Sequence, residues 1–217
     1  NSTSVHAFAV GPDKTVWAST PDNILRFDGK QWVIVQGSFG FSFSEGSGGV
    51  WSFGVARDGV VWSKNLGGMF YLKPGQQRFE RAAGYVGGPE GFTNTPDGRL
   101  WTTDTRAAHL YPMPDLARVR TTGPPSANPG LVLPKAIEGP ILLDRDGTLW
   151  CSSVGGGGLR RVRTVLGATM LDQGADSHGP SVATNGLSSD LVHTLFEDRE
   201  GNIWIGTSLG LDRFRPA

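Results

Sequence analysis

The chain has 217 residues, of which 38% are hydrophobic and 18% charged, a balance that suits one large or two small globular domains. Twenty Lys and Arg residues offset twenty Asp and Glu residues, so a formal net charge of zero argues against nucleic acid or an anionic membrane as a partner. No apolar run is long enough for a membrane-spanning helix, so we expect no membrane insertion by this segment. The lone Cys151 excludes an internal disulfide and a zinc cluster built on several cysteines.

The sequence begins at Asn1, and its first twenty residues show no signal-peptide pattern. We therefore expect the chain to be a segment of a longer protein.

One short pattern recurs five times: an acidic residue, followed in four copies by Gly, stands four residues before a tryptophan. The five tryptophans are Trp17, Trp62, Trp101, Trp150 and Trp204. Their successive spacings are 45, 39, 49 and 54 residues. Spacings of this length are typical of propeller blades, in which each repeat is a four-stranded sheet.

In each repeat, the acidic residue and Gly predict a two-residue hairpin turn with positive φ, and Lys14 is the exception. An apolar segment before the turn predicts strand A, and the segment around the tryptophan predicts strand B. Strand A is predicted at residues 5–10, 50–55, 141–143 and 192–196, whereas the third repeat lacks an apolar first strand. Strand C is predicted at residues 24–27, 69–72, 110–111, 159–162 and 211–214.

Fourth strands are predicted at residues 32–35, 77–80, 116–120 and 165–171, with none in the fifth repeat. Two longer inserts, residues 112–134 and 172–190, are predicted to be surface loops. Too few residues flank the first and last strands to close a ring, so we expect part of a larger propeller. The predicted fold is all-β: a single β-propeller segment over residues 1–217, built of about five four-stranded antiparallel blades. Their predicted bounds are residues 3–36, 48–82, 87–122, 136–171 and 187–217.

The last repeat, Asn185 to Phe214, contains a V-x-x-L-x-x-D segment, then GNIWIGT, then GLDRF. This stretch closely resembles the two-component regulator propeller repeat, and the four earlier repeats are weaker copies of it. In that family, such repeats form the extracytoplasmic sensing region of membrane-bound histidine kinases, with tandem propellers followed by a further β-domain and a membrane helix.

The resemblance implies a periplasmic or other extracytoplasmic sensor domain that takes part in signal transduction within a membrane-anchored protein. It also implies a small-molecule or oligosaccharide ligand. Other propeller or β-domain segments of the same parent protein are the expected protein partners, and a homodimer is a further arrangement that the exposed blade edges would allow. The chain contains no transmitter histidine, ATP-binding motif or receiver domain, so we expect no enzymatic activity and no cofactor in this segment.

Two positions in each repeat are candidate ligand contacts, because the start of strand A and the end of strand B emerge on one face of a propeller, near its central channel. Eleven residues before each tryptophan stand His6, Trp51, Glu90, Gly139 and His193, and three residues after it stand Thr20, Asn65, Asp104, Ser153 and Thr207. The residues that we expect to bind the ligand are His6, Trp51, Glu90, His193, Asn65 and Asp104. Hydrogen bonding to the local backbone is the favoured alternative for the small hydroxyl side chains.

The repeated tryptophans are expected to pack between neighbouring sheets. The acidic turn residues are expected to accept hydrogen bonds from nearby backbone N–H groups. They are Asp13, Asp58, Asp97, Asp146 and Glu200. No metal is expected, because His6 and His193 would meet only if the first and fifth blades were neighbours, and no third ligand is evident.

Two other classes of function stay open. The streptogramin lyases are propellers with similar Asp-Gly-x-x-Trp turns, and in a lyase His6, His193 or His178 would be the general base. A scaffold propeller that binds only proteins would instead present a broad apolar face.

Overall fold

The computed structural model describes residues 5, 7–20, 23–35, 52–65, 67–84, 91–104, 109–116, 118, 131–132, 139–152, 158–163 and 186–215. These residues form eighteen β-strands and no helix, so the described part of the chain holds no helix that could span a membrane. The strands form five antiparallel sheets, one for each tryptophan repeat, and we number them blades 1 to 5 in chain order. The all-β prediction is confirmed.

In each blade, neighbouring strands in the sheet are also neighbours in the chain. Blade 1 contains β1 (Ala7–Val10), β2 (Val16–Ser19), β3 (Ile24–Phe27) and β4 (Trp32–Ile34). Blade 2 contains β5 (Ser52–Val55), β6 (Val61–Asn65), β7 (Gly68–Leu72) and β8 (Glu80–Arg81). Blade 3 contains β9 (Phe92–Asn94), β10 (Leu100–Asp104), β11 (His109–Pro112) and β12 (Leu131–Val132).

The last two blades each have three strands among the described residues. Blade 4 contains β13 (Ile141–Leu143), β14 (Thr148–Ser152) and β15 (Leu159–Arg163). Blade 5 contains β16 (Val192–Glu197), β17 (Ile203–Thr207) and β18 (Leu211–Phe214). The predicted fourth strand at residues 165–171 and the insert at residues 172–185 lie outside the described residues.

Blade 3 differs from its prediction in two places. Its first strand exists as β9, and its fourth strand is β12, which pairs with β11 through Leu110 and Leu131. The fourth strand predicted at residues 116–120 is therefore wrong, and the insert at residues 112–134 is not wholly a loop. The amide of Leu116 donates to the carboxylate of Asp58 over 3.0 Å, which holds this segment in a turn instead.

In blades 1, 2, 4 and 5, the turns between strands A and B are three-residue loops, not the predicted two-residue hairpins. In blade 4, the amide of Asp144 donates to the carbonyl of Thr148 and that of Gly147 donates to the carbonyl of Asp144, both over 3.0 Å. A type I turn followed by one left-handed residue has this pattern and adds a residue to the loop. The left-handed residue is Gly147 in blade 4, with φ of 79°, and Lys14 in blade 1, with φ of 65°.

The core lies between successive blades. We call the side of each sheet that carries the strand-B tryptophan its tryptophan face, and the other side its opposite face. In blade 1, Trp17 and Ile24 lie on the tryptophan face and pack in one buried cluster with Phe53, Val55 and Phe70 of blade 2. These three side chains lie on the opposite face of blade 2, so the tryptophan face of one blade covers the opposite face of the next.

The same packing recurs between blades 4 and 5. Trp150 and Leu159 of blade 4 pack with Ile203 and Ile205 of blade 5. The ring of Trp150 also lies 5.7 Å from the ring of Phe214, centroid to centroid. The prediction that the tryptophans pack between sheets is confirmed for these blade pairs.

Contacts divide the chain into two compact units. The first comprises Asn1–Pro89, Asp97–Thr102 and Tyr111–Pro129, and the second comprises Glu90–Pro96, Thr103–Leu110 and Gly130–Ala217. Blades 1 and 2 lie wholly in the first unit, and blades 4 and 5 wholly in the second.

The single cysteine lies inside blade 4. Cys151 lies in β14, between Ile141 of β13 and Arg160 of β15, and it is buried. Burial raises the pKa of its thiol to about 11. The thiol is therefore protonated at neutral pH and has low reactivity in the folded chain.

Candidate ligand-binding site

The residues predicted to bind a ligand are only partly described. His6, Trp51 and Glu90 lie outside the described residues. Asp104 is the last residue of β10, and only its backbone is described. Their proposed role stays a prediction. Asn65 and His193 can be placed in detail.

At the ends of strand B, the predicted side chains hold the turns that lead to strand C. The Oδ1 atom of Asn65 accepts a hydrogen bond from the amide of Gly67 over 2.8 Å, and Asn65 is buried. Thr20 accepts one from the amide of Asn23 over 3.0 Å, and Thr207 donates one to the carbonyl of Gly210 over 3.1 Å. Each side chain thus has a local backbone partner, and ligand contact is an additional role that stays predicted.

His193 lies in a group of polar side chains at this end of blade 5. Its Nε2 atom is 2.8 Å from the hydroxyl of Ser208. The hydroxyl of Ser188 is 2.8 Å from that of Thr207 and donates to the carboxylate of Asp212 over 2.7 Å. This group, which we call the His193 cluster, has the hydrogen-bonding capacity that a polar ligand requires.

A cavity of about 350 Å³ lies at the other end of the blades, between the A–B turns of blades 1 and 2. Its charged and aromatic lining consists of Asp13, Trp17, Arg26, Arg57, Asp58 and Lys73. The volume lies at the lower end of the range typical of small-molecule pockets. We call it the turn cavity.

Both carboxylates of the turn cavity are already engaged. Asp13 accepts hydrogen bonds from the hydroxyl and the amide of Thr15 over 2.6 and 3.0 Å. These bonds, together with the positive charge of Arg26, lower the pKa of Asp13. Asp58 accepts hydrogen bonds from the amides of Val60 and Leu116 over 3.1 and 3.0 Å.

The cations of the turn cavity are less fully engaged. The guanidinium of Arg57 lies 3.6 Å from the carboxylate of Asp115. The ammonium of Lys73 lies over the ring of Tyr71, 5.8 Å from its centroid. Among the described residues, Arg26 has no carboxylate within salt-bridge distance, and it is exposed. The cavity therefore offers positive charge next to Trp17, an environment that suits a polar solute with a negative charge.

Arg26 was not among the predicted site residues, although the sequence carries a signal for it. Strand C holds a basic residue in three blades, and each lies directly across the sheet from its tryptophan: Arg26 from Trp17, Arg161 from Trp150, and Arg213 from Trp204. In blades 4 and 5 these guanidinium groups lie 5.7 and 5.4 Å from the tryptophan ring centroid. An arginine that lies across from the tryptophan when strands B and C are paired is the sequence signal for Arg26.

The carboxylates that hold the A–B turns differ between blades. Asp13, Asp58 and Asp97 accept from nearby amides as predicted. In blades 4 and 5 the prediction for Asp146 and Glu200 is wrong, because another carboxylate, six residues before the tryptophan, occupies that place. It belongs to Asp144 in blade 4 and to Asp198 in blade 5. Within the described part of the chain, no group of three His, Cys, Asp or Glu residues could hold a metal ion.

Comparison with protein families identifies one repeat. Residues 186–208 match the family described as "Two component regulator propeller". The fifth repeat is therefore similar to the repeats of that family. This confirms the resemblance seen in the sequence of that repeat, whereas no curated protein matches the chain.

Three solved structures show the same fold. A gluconolactonase from Xanthomonas campestris is 17% identical, with a TM-score of 0.63 over 95% of this chain and 70% of the other. The extracellular domain of a Bacteroides thetaiotaomicron protein assigned as a hybrid two component system is 17% identical, with a TM-score of 0.57 over 100% of this chain and 27% of the other. Catalytically inactive virginiamycin B lyase from Staphylococcus aureus is 12% identical, with a TM-score of 0.56 over 99% of this chain and 70% of the other. At these identities the likeness concerns the fold, and the chain spans little more than a quarter of the two-component relative.

Proposed function

We propose that this chain is the ligand-recognition part of an extracytoplasmic sensor in two-component signalling, and that it binds a polar, negatively charged solute in the turn cavity. The match of residues 186–208 to the regulator propeller family supports the sensor role. Any kinase activity belongs to other parts of the parent protein.

The observation that carries the ligand proposal is the exposed Arg26 beside Trp17 in a cavity of about 350 Å³. A guanidinium binds a carboxylate through two parallel hydrogen bonds. A sugar acid such as a uronate combines a carboxylate for Arg26 with C–H groups that can pack on aromatic or aliphatic surface. Acidic carbohydrate is therefore the ligand class that we propose.

A ligand in this position would act on the packing of two blades. The turn cavity is lined by the A–B turns of blades 1 and 2, which also share the buried cluster around Trp17 and Phe53. A solute that binds one arrangement of these turns more tightly than another shifts the balance between them. The resulting change in the populations of the two arrangements is the signal that a sensor passes on.

Isothermal titration calorimetry tests the proposal with glucuronate, galacturonate and the neutral sugars glucose and galactose. We expect a uronate to bind and the matching neutral sugar to bind at least about tenfold more weakly, because the charge-assisted hydrogen bonds are lost. Arg26→Gln should weaken uronate binding by a similar factor. Arg215→Gln, which neutralises an exposed arginine in blade 5, is the matched control and should have no effect.

The outcomes separate the candidate sites. Uronate binding that survives Arg26→Gln but is lost in His193→Ala would move the site to the His193 cluster. Absence of binding by all four sugars would overturn the acidic-carbohydrate proposal.

The alternative enzyme hypothesis depends on His193, the one histidine whose side chain the structure describes. Its exposed imidazole, 2.8 Å from the hydroxyl of Ser208, would be the general base of a lyase or lactonase. Assays with a streptogramin and with aldonolactones test this hypothesis. Turnover that falls at least about a hundredfold in His193→Ala would favour the enzyme, and no turnover by the native chain would exclude it for these substrates.

The cellular location is tested without any guess about the ligand. An antibody against this segment should detect a membrane-bound protein several times larger than 23.1 kDa in fractionated source cells. A soluble protein only slightly larger than this segment would contradict the sensor proposal.

A further inference from the structure

Blades 1 and 2 pack on each other in the same way as blades 4 and 5, so the two blade pairs can be compared residue by residue. The β-sheet register gives the matching positions. Val55 of blade 2 and Glu197 of blade 5 each pair with the residue immediately before the tryptophan of their own blade. On the other side of strand B, Leu72 and Phe214 pair with that same residue. Leu72 therefore corresponds to Phe214, and Val55 corresponds to Glu197.

Between blades 4 and 5, an aromatic ring and an ion pair close the space beside the tryptophan. The ring of Phe214 lies 5.7 Å from the ring of Trp150, centroid to centroid. The guanidinium of Arg145 in blade 4 pairs with the carboxylate of Glu197, and the amide of Arg145 donates to the same carboxylate over 3.0 Å. Two side chains of blade 5 thus reach across to blade 4 at this end of the pair.

Blades 1 and 2 have different side chains at these three positions. They are Pro12 in place of Arg145, Val55 in place of Glu197, and Leu72 in place of Phe214. Pro12 and Val55 carry no charge and cannot form an ion pair, and Leu72 has no ring. All three residues line the turn cavity together with Trp17. The turn cavity therefore lies where the matching blade pair holds the ring of Phe214 and the Arg145–Glu197 pair.

The walls of the turn cavity are apolar on both sides of this place. Trp17 lies on the side of blade 1, and Val55 and Leu72 lie on the side of blade 2. All three side chains are buried. Arg26 lies directly across the sheet from Trp17 and is exposed, so positive charge stands beside this apolar part of the cavity. An apolar ring surface next to an anionic group is the ligand shape that such a lining fits.

We propose that the solute of the turn cavity carries its carboxylate on a six-membered ring, that the ring lies against Trp17 as the ring of Phe214 lies against Trp150, and that Leu72 is the specificity-determining residue that admits it. This inference rests on the proposed function and narrows its ligand class to cyclic acids. The pyranose form of a uronate meets this requirement. An open-chain sugar acid such as gluconate has the carboxylate and the hydroxyl groups but no ring, and it loses more conformational freedom on binding.

The choice of ligand gives the first test. Isothermal titration calorimetry of the native chain should show that glucuronate binds at least about tenfold more tightly than gluconate, because only glucuronate presents a preformed ring to Trp17. Equal affinity for the two acids would overturn the proposal.

The variant Leu72→Phe gives the second test, because it places a ring of the chain itself in the proposed ring position. The affinity for glucuronate should fall at least about tenfold. The thermal unfolding midpoint should not fall, since the new ring enters an existing cavity and not a filled core, where an added ring is destabilising. A midpoint well below that of the native chain would show that the cavity has no room for a ring beside Trp17, and would also overturn the proposal.

Phe214→Leu is the matched control, because it makes the reverse exchange at the matching position of blades 4 and 5. It should lower the unfolding midpoint, since it removes a ring that packs on Trp150. The affinity for glucuronate should stay unchanged, because this residue lies outside the turn cavity. An affinity reduced as much as in Leu72→Phe would show that the effect is not local to the turn cavity and would contradict the role of Leu72.

The outcomes separate this inference from the proposed function. Glucuronate binding that is lost in Arg26→Gln but unchanged in Leu72→Phe would overturn the ring position and leave the proposed function intact. Absence of glucuronate binding to the native chain would overturn the acidic-carbohydrate proposal. Cyclohexanecarboxylate, which has the ring and the carboxylate without the hydroxyl groups, then tests the ring position alone. Binding that is lost in Leu72→Phe would support the ring position, and absence of binding would overturn it.

Discussion

The carboxylate of Asp144 accepts the indole N–H of Trp150 over 2.8 Å, in the buried part of blade 4. The same carboxylate accepts from the amides of Asp146 and Thr148, and thus joins the A–B turn to the core tryptophan. Asp198 and Trp204 repeat the relationship in blade 5 over 2.8 Å. A single side chain six residues before the tryptophan therefore holds both the turn and the indole ring.

Replacing Asp144 with Ala should lower the free energy of unfolding by about 2–3 kcal/mol, because a buried indole N–H and two turn amides lose a charged acceptor. Urea denaturation of the variant measures the change. Asp146→Ala in the same turn is the control, since Asp146 is exposed and the change should stay within about 0.5 kcal/mol. Equal effects of the two substitutions would contradict the role of Asp144.

The second prediction concerns acid stability. Partial desolvation raises the pKa of Asp198, but hydrogen bonds from Trp204, Asn202 and the amide of Glu200 outweigh it and lower the pKa to about 2. A carboxyl whose folded pKa is depressed contributes stability above its unfolded pKa, which is about 3.9, and loses that contribution as pH falls toward the folded value. Stability should therefore decrease between about pH 5 and pH 2.

Urea midpoints at both ends of this pH range, for the native chain and for Asp198→Asn, give the measurement. The variant should lose less stability on acidification, because it lacks the titrating group. An identical pH dependence in the two proteins would mean that Asp198 is not responsible.

The third prediction concerns the A–B turn of blade 1. Lys14 has φ of 65°, whereas the matching residues in the other four blades are glycines with φ between 77° and 83°. The left-handed conformation costs a residue with a Cβ atom about 1 kcal/mol, part of which Gly gives back through its freedom in the unfolded chain. Lys14→Gly should therefore stabilise the chain by about 0.5 kcal/mol. Lys14→Ala, which keeps the Cβ atom, should bring no gain in the same thermal unfolding assay.

The fourth prediction uses the tyrosine that links strands C and D of blade 2. Burial raises the pKa of Tyr71 to about 12, and a hydrogen bond from its hydroxyl to the carboxylate of Glu80 adds to the shift. Tyrosine ionisation can be followed by ultraviolet absorbance as pH is raised. The ionisation step at the highest pH should be absent in Tyr71→Phe. Glu80→Gln should move that step to lower pH, and Tyr111→Phe should leave it in place. A highest step unaffected by Tyr71→Phe would assign it to another tyrosine.

The fifth prediction concerns the link between the turns of blades 4 and 5. Arg145 pairs with Glu197 and also donates to the carbonyl of Arg199 over 3.0 Å. A double-mutant cycle with Arg145→Ala and Glu197→Ala should give a coupling energy of about 1 kcal/mol, kept small because Arg145 is half exposed. Repeating the cycle in high salt should reduce the coupling. A coupling near zero in low salt would contradict the link.

The sequence predicts strands B and C well because two local signals coincide in each repeat. The turn glycines mark where strand A ends, and the alternation around each tryptophan gives the faces of strand B. The fourth strand of blade 3 was missed for a nonlocal reason. The apolar alternation at residues 116–120 favours a strand, but Asp58, 58 residues earlier in the chain, binds the amide of Leu116 and holds a turn there.

The turn cavity could not be predicted in the same way. Its cations come from strand C of blade 1 and from the turn after strand C of blade 2, and the period of the repeats does not show that these two places adjoin. Arg26 was recognisable as the cross-strand partner of Trp17. Lys73 had no comparable signal in the sequence.

The buried Cys151 can report how often blade 4 opens. A thiol with a pKa of about 11 inside the sheet of blade 4 reacts with an alkylating reagent only when that sheet opens. The rate of alkylation in the native chain thus measures how often blade 4 opens, without any introduced label. A ligand or a second copy that stabilises this blade would slow the reaction, so binding could be followed by mass spectrometry alone.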